Sequence, residues 1–422
     1  MLAATLLAAA AAALAPLASA QSVNEPEKGK LYLGAWLDTA DSASGAGDGD
    51  RPTLAIKRMG YNLHAFHYAQ NIPVDTYPFP IEQIEATGLD ALVFLTVYPR
   101  PTPWTVTDAD INELATMCGK INNQGHRIVL RFGPEMNGPW NYYGQAPLKF
   151  IALWKRVFAA LRRLAPATAL VWAPSSGSGY PFGTPTAATL GQDEFNALDT
   201  NKDGAITAAD DAYTPYYPGD DFVDWVGLSA YYYGPQYPWE DNVIPPAGTF
   251  EKLINVNGFY QNFAVAKNKP MLIAETAAAF HTNTPKGNGD GEFAVKQAFW
   301  RQYLTNATFL DQYERIKLIS LFEFKKYEEK LSNGQDDLRD FRITNNSQIL
   351  TAFMQDFAAV KSRYIEAVPL TPSATLAPPV PTRTGKDSSP TGTAGKNGAS
   401  AATGSWAMGI VGAAAALLSL LA

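Results

Sequence analysis

Two segments of the chain carry acid side chains in settings that suit catalysis. One is Arg131-Phe132-Gly133-Pro134-Glu135-Met136-Asn137-Gly138-Pro139-Trp140, and the other is Ile273-Ala274-Glu275-Thr276. Each glutamate follows a short apolar run. If the fold brings Glu135 and Glu275 face to face across a bound sugar, they form the pair that a retaining glycosidase needs. One carboxyl stays protonated as acid/base and the other is ionised as nucleophile, about 5–5.5 Å away. Either glutamate alone reads equally well as the ion-pair partner of a nearby base such as Arg131. The elements that carry them therefore decide.

Between Gly29 and about Ala367, short apolar runs alternate with amphipathic stretches. The expected strands are Leu31–Trp36, Asn62–His67, Ala91–Val97, Arg127–Phe132, Ala169–Ala173, Asp224–Ala230, Met271–Ala274 and Lys317–Phe322. Each is bounded by Gly, Pro or polar residues, as buried parallel strands are. Helical periodicity fills the gaps, most clearly over Asp110–Asn122, Leu148–Leu164, Phe250–Ala266, Glu292–Leu304 and Gln348–Tyr364. Eight strands alternating with helices predict an α/β fold of the (β/α)8 TIM-barrel kind over residues 29–367. A doubly wound open sheet is the rival, but no glycine fingerprint follows the first strand. Barrel chemistry sits at the C-terminal strand ends. Glu135 follows the fourth strand and Glu275 the seventh, so both are expected at the mouth.

These segments resemble glycoside hydrolase family 26, a clan A barrel family best known for endo-β-1,4-mannanases. The resemblance runs from Gly34 to about Tyr327. Arg131 to Trp140 is similar to the family's acid/base segment, which implies Glu135 as general acid/base. Ile273 to Thr276 is similar to its nucleophile segment, which implies Glu275. Asp224-Trp225-Val226-Gly227-Leu228-Ser229-Ala230-Tyr231 resembles the strand in which a tyrosine donates to the nucleophile, implying Tyr231, and Val171-Trp172-Ala173-Pro174 resembles the fifth-strand segment. Two positions depart from the pattern. Pro134 stands where the family usually has histidine, and Ser175 where it usually has asparagine.

Around the expected mouth stand Trp36, Trp140, Tyr142, Tyr143, Trp172, Tyr231, Tyr232 and Tyr233. Sugar C–H faces stack on such rings, although any one of them serves equally as core. Substrate contacts are expected from Arg131, Asn137, Trp140, Trp172, Tyr231 and His64. Arg131 and Tyr231 would hold Glu275 ionised, and Asn137 reads either as a sugar contact or as a loop cap. His64 and His67, placed at the end of the second strand, bond either to substrate or to a core carbonyl. The charged and aromatic loop after the last strand contains Glu323, which either reaches the pocket or faces solvent.

The connection between the fifth and sixth strands, Gly179 to Asp221, is long. Within it, oxygen donors at Asp199, Asn201, Asp203, Thr207 and Asp210 occupy positions 1, 3, 5, 9 and 12 of an EF-hand or dockerin-like loop. Gly204 takes position 6, and the carbonyl of Ala205 serves position 7. The spacing predicts a structural Ca²⁺ site; an Asp-rich surface turn is the alternative.

Both ends read as processing signals. Residues 1–20 are apolar and close on Leu17-Ala18-Ser19-Ala20, as a signal peptide does. Residues 368–405 are rich in Pro, Ser, Thr, Ala and Gly and form a stalk with a glycosylphosphatidylinositol (GPI) attachment region. The apolar tail 406–422 completes a GPI signal. An uncleaved anchor and a tail-anchored helix are the respective alternatives. Asn306-Ala307-Thr308 and Asn345-Asn346-Ser347 are glycosylation sequons. Together these point to the surface of a eukaryotic cell. A net charge of -7 argues against a nucleic-acid partner. The single cysteine, Cys118, excludes an internal disulfide framework and a cysteine zinc cluster.

The expectation is a secreted, GPI-anchored, retaining β-glycosidase, endo-acting on a β-linked polysaccharide such as β-mannan, with no cofactor for catalysis. The alternatives are a wall-remodelling transglycosylase and, prompted by Pro134, a carbohydrate-binding barrel without catalysis.

Overall fold

Eight parallel strands close on themselves: β1 (Leu31–Leu37), β2 (Ala65–Ile72), β3 (Leu92–Pro99), β4 (Ile128–Phe132), β5 (Thr168–Trp172), β6 (Trp225–Tyr232), β7 (Met271–Ala278) and β8 (Ile316–Glu323). Closure is made by β1 and β8, paired from Tyr32↔Leu318 to Leu37↔Glu323. The computed structural model describes residues 21–40, 49–75, 81–235, 239–282, 289–328, 334 and 336–370. The expected signal peptide, the GPI tail and all but the first three residues of the stalk lie outside the described residues. Among the described residues, no helix is long and apolar enough to cross a membrane.

Alternation along the strands sorts the side chains into two layers. Val129, Val171, Trp225 and Leu272 fill the barrel interior, while Leu130, Leu170, Val226 and Ile273 meet the helices outside. Helix α1 (Asp108–Asn123) starts at a reciprocal cap between Thr107 and Asp110. Helix α2 (Pro147–Leu164) buries Phe150, Leu153, Trp154, Val157 and Leu161, a stripe at helical spacing. Each of these side chains is worth roughly 1.5–3 kcal/mol in transfer from water. No side chain of its own caps α2. Instead Glu194, from the long β5–β6 connection, accepts from Leu148 N at 2.8 Å and Lys149 N at 3.3 Å. That connection is thereby fastened to the barrel wall.

The packed chain overruns residues 29–367 at both ends. Asn24 bonds the carbonyls of Ile128 and Ala167, and Trp225 Nε1 donates to Val23 O, so the N-terminal segment plugs the barrel floor. At the other end, Leu370 N donates to Gly88 O.

Two helices are shorter than periodicity predicts. The stretch Phe250–Ala266 is helical only over Thr249–Asn255. Asn257 and Gly258 then turn left-handed (φ 50° and 68°), and a π-type turn follows over Tyr260–Val265. An Asn-Gly pair favours that break. Likewise Gln348–Tyr364 is α-helical only within Ser347–Ala358; a single 3-10 turn follows at Lys361–Arg363, and Tyr364–Ile365 leaves to pair with β1.

Candidate active site

Strand β4 sends Val129 and Arg131 inward and then turns sharply. Gly133 and Glu135 both take positive φ, 52° and 56°. For glutamate this backbone is unfavourable and survives only where the surroundings fix it. They do: Glu135 N donates to Ala173 O at 2.9 Å. The carbonyl of Pro134 accepts from Tyr143 Oη at 2.9 Å and from Asn141 Nδ2 at 3.1 Å. Gly138 matters for a steric reason: a Cβ there would lie 2.2 Å from the Trp140 ring. Without it the indole folds back, and its Nε1 donates to Glu135 Oε2 at 2.8 Å.

Glu275 reaches the interior through a bulge. On β6 the register passes from Leu228↔Ile273 to Ser229↔Glu275, so Ala274 has no partner there. Opposite β8, Ala274 and Glu275 together fill the step between Ile273↔Ile319 and Thr276↔Leu321. Simple alternation from Leu272 and Ala274, which are interior, would turn Glu275 toward the helices. The extra residue resets the alternation. Thr276 then faces outward, bonding Tyr303 at 2.9 Å, and Ala277 returns to the mouth. Strand β6 needs no such device: Trp225, Gly227, Ser229 and Tyr231 share its inner face. Tyr231 Oη donates to Glu275 Oε2 at 2.6 Å.

Arg131 joins the two acids. Its guanidinium is fully buried; Nη1 bonds Glu275 Oε1, and Nη2 donates to Ser229 Oγ at 2.8 Å. The same Nη2 lies 3.8 Å from Glu135 Oε1. One buried positive charge thus faces two carboxyls and can balance one. Burial first, and the charge of Glu275 second, push Glu135 up to about 7. Arg131, Ser229 and Trp140 pull the other way. Glu135 therefore keeps its proton into the neutral range, while Glu275 takes the direct cation contact and the phenol donor. A carboxyl that holds its proton into the neutral range and a second one paired with a cation, both facing the same guanidinium, can do general-acid and nucleophilic chemistry.

Of the expected substrate contacts, Arg131, Trp140 and Tyr231 stand at this site. Asn137 is fully buried and clamps two loops, donating to Ser175 O at 3.0 Å and accepting from Ser175 N at 2.8 Å. Two expectations are corrected. Trp172 points outward between barrel and helices, packs against Tyr217, Phe259 and Phe263, and donates to Tyr216 O at 3.0 Å. Its neighbours Val171 and Ala173 are the interior residues, so alternation excludes it. His64 precedes β2 rather than ending it and sits at the floor, stacked on Tyr32 and 2.8 Å from Arg127 Nη2. Burial, then Arg127, push it down to about 4.

His67 lies inside the barrel, stacked on Phe94 and bonded to Thr96 at 2.7 Å. Glu323 faces away from the mouth, held by Ile343 N, Thr344 N and Thr344 Oγ1. Of the aromatic residues, Trp36, Tyr231 and Tyr233 join Phe322, Phe324 and Phe341 in a mouth cluster. Tyr232 packs outward and Tyr142 is exposed. Ser229 and Tyr98 are site residues the sequence analysis missed; Tyr98 feels the charges of Glu275, Arg131 and Glu135. Their parity with Trp225 and Leu92 was the available signal.

In the loop expected to bind calcium, the side-chain oxygens engage the loop's own amides. Asp199 accepts from Asp203 N and Gly204 N, Asn201 from Asp203 N, and Asp203 from Ala205 N. Thr207 accepts from Ala209 N, and Asp210 from Thr200 N, Asn201 N and Thr207 N. Among the described residues there is no group of three or more His, Cys, Asp or Glu that could hold a metal ion.

No protein-family model matches this sequence, and no curated protein does either. Solved structures do. A protein designated GH26C from Muricauda sp. is 16% identical, with 80% of this chain and 87% of that chain covered and a TM-score of 0.50. A modular endo-β-1,4-mannanase from Cellulomonas fimi is 16% identical, with 84% and 77% covered and a TM-score of 0.48. At this identity, the likeness to the Muricauda protein is one of fold.

Proposed function

We propose that this chain is a retaining β-glycosidase of the family 26 type, cleaving within a β-linked polysaccharide. The observation that carries it is the single buried guanidinium of Arg131 facing both Glu135 and Glu275. Glu135 protonates the leaving glycosidic oxygen as Glu275 attacks the anomeric carbon and forms a glycosyl-enzyme. The Glu135 carboxylate then takes a proton from water, whose oxygen displaces Glu275 and restores the original configuration. The family resemblance of residues 131–140, 224–231 and 273–276 makes β-1,4-mannan the first substrate to try, and the barrel shared with the Muricauda protein is compatible with it.

The test is reducing-end release from mannan, xylan and mixed glucans, with Glu135→Gln and Glu275→Gln as controls. Longer products in the presence of oligosaccharide acceptors favour a wall-remodelling transglycosylase. An inert protein that retains glycan affinity favours the binding barrel. Secretion and GPI anchoring are proposed from residues 1–20 and 368–422 alone; release of the protein from cells by a phosphatidylinositol-specific phospholipase tests them. Calcium binding at residues 199–210 is likewise proposed from the spacing of its oxygens, each carboxylate keeping lone pairs beyond its amide bonds.

A further inference from the structure

The Trp140 indole that bonds Glu135 is itself held from outside the β4 loop. Its ring meets Phe182 edge-on, with centroids 5.2 Å apart and planes at 67°. Phe182 lies in the β5–β6 connection, is 2% exposed, and packs in turn on Tyr180. Gln145, at the end of the β4 loop, fixes that segment: its Nε2 donates to Pro181 O at 3.0 Å and Phe182 O at 3.1 Å. Gln145 N donates to Met136 O, next to Glu135. Eight non-glycine residues among those described have positive φ, and three of them stand in this one chain of contacts: Glu135 at 56°, Gln145 at 53° and Phe182 at 53°. Such backbone persists only where its surroundings over-determine it, and it gathers where geometry serves function.

We propose that Phe182 and Gln145 are positioning residues for the acid/base: together they press the Trp140 indole onto the Glu135 carboxyl and keep water from it. This rests on the reading of Glu135 as acid/base. Neither residue touches the reacting atoms, and both act through Trp140. The other groups facing Glu135 are Arg131 on β4, Glu275 on β7, Tyr98 on β3, Tyr143 in its own loop, and Tyr231 and Tyr233 from the β6 side. The ring contacts of Phe182 among the described residues are with Trp140 and Tyr180 rather than with these groups, so a change there acts first on the indole and the hydration. Loosening the indole removes a hydrogen bond that favours the carboxylate and also admits water. Burial is the largest influence on Glu135 and the Trp140 bond ranks well below it, so the net effect is a lower proton affinity.

The experiment follows the Trp140 indole N–H resonance in tryptophan-¹⁵N-labelled full-length protein as pH is varied, assigned with Trp140→Phe. In the native protein it titrates with a midpoint near 7. Phe182→Ala moves that midpoint down by about half a pH unit or more, and kcat falls about tenfold with KM little changed. Phe182→Leu, which keeps an apolar side chain against the indole, restores both. Gln145→Met, which removes both donors at similar size, gives the same direction of change and serves where Phe182→Ala does not fold. An unshifted midpoint in well-folded Phe182→Ala and Gln145→Met overturns the positioning role while leaving Glu135 as acid/base. A native resonance that does not titrate between pH 5 and 9 overturns both.

Discussion

Tyr231 donates its hydroxyl to Oε2 of Glu275 at 2.6 Å, while Arg131 occupies the other oxygen of that carboxylate. With both oxygens engaged, the Glu275 carboxylate is held in one orientation. Removing the hydroxyl with Tyr231→Phe deletes one hydrogen bond to a charged group, worth about 1.5–3 kcal/mol. Steady-state kinetics on the best glycan should therefore show kcat/KM down by about 10–100-fold with the fold intact. An unchanged value would remove Tyr231 from the mechanism.

Arg131 is the sole positive charge in direct contact with either acid in the described site, and it has no exposure to solvent. Breaking a buried pair leaves the remaining charges uncompensated, at a cost of about 3–5 kcal/mol. Arg131→Met should lose that much stability in chemical denaturation at pH 7 and be inactive. A variant as stable as the native protein would show that the two carboxyls do not depend on this cation.

Glu135 sits at about 7 in the fold against 4.5 for the free side chain, so between those values the folded chain holds a proton that the unfolded chain has released. The stabilising contribution is complete below about pH 4.5 and disappears as pH rises through 7. Glu135→Gln has no such proton to lose. Its unfolding free energy should gain on the native protein by up to about 3 kcal/mol between pH 4.5 and 8, read from parallel denaturant titrations. A difference that stays constant with pH contradicts the raised proton affinity. If Glu135 is the general acid, native activity profiles should show an alkaline limb near 7, because the acid must be protonated to act.

If residues 199–210 take up Ca²⁺, binding to the folded state alone stabilises it by about 2.7 kcal/mol at a hundredfold excess over Kd. Thermal melts with excess calcium and with chelator should then differ by several degrees. Asp199→Ala should abolish the difference. Superimposable melts mean that the loop is held by its own amide bonds alone.

The barrel was legible because each strand is a short apolar run between breakers, and Glu135 and Glu275 because they follow such runs. What was not legible is local. His64 was misplaced because the polar face of β2 continues to Ile72, so the apolar run marked the wrong end of the strand. Trp172 reads as a mouth aromatic from its place at the end of the fifth strand, although strict alternation with Val171 sends it outward. The opposite error awaited Glu275, whose inward aim depends on a bulge at Ala274 that no residue type announces. Ser229 and Tyr98 lay on inner faces that counting from Trp225 and Leu92 identifies. The support of Trp140 by Phe182 joins segments through tertiary packing alone, and nothing in either segment encodes it.

Everything depends on Glu135 and Glu275 serving one sugar from opposite roles. The most direct measurement is the configuration of the first-formed product, followed by NMR during cleavage of a β-linked oligosaccharide by the native protein, Glu135→Gln and Glu275→Gln. The native protein should release the β-anomer first, and each substitution should lower the rate by at least about 100-fold. Release of the α-anomer, or undiminished cleavage by either variant, contradicts the account.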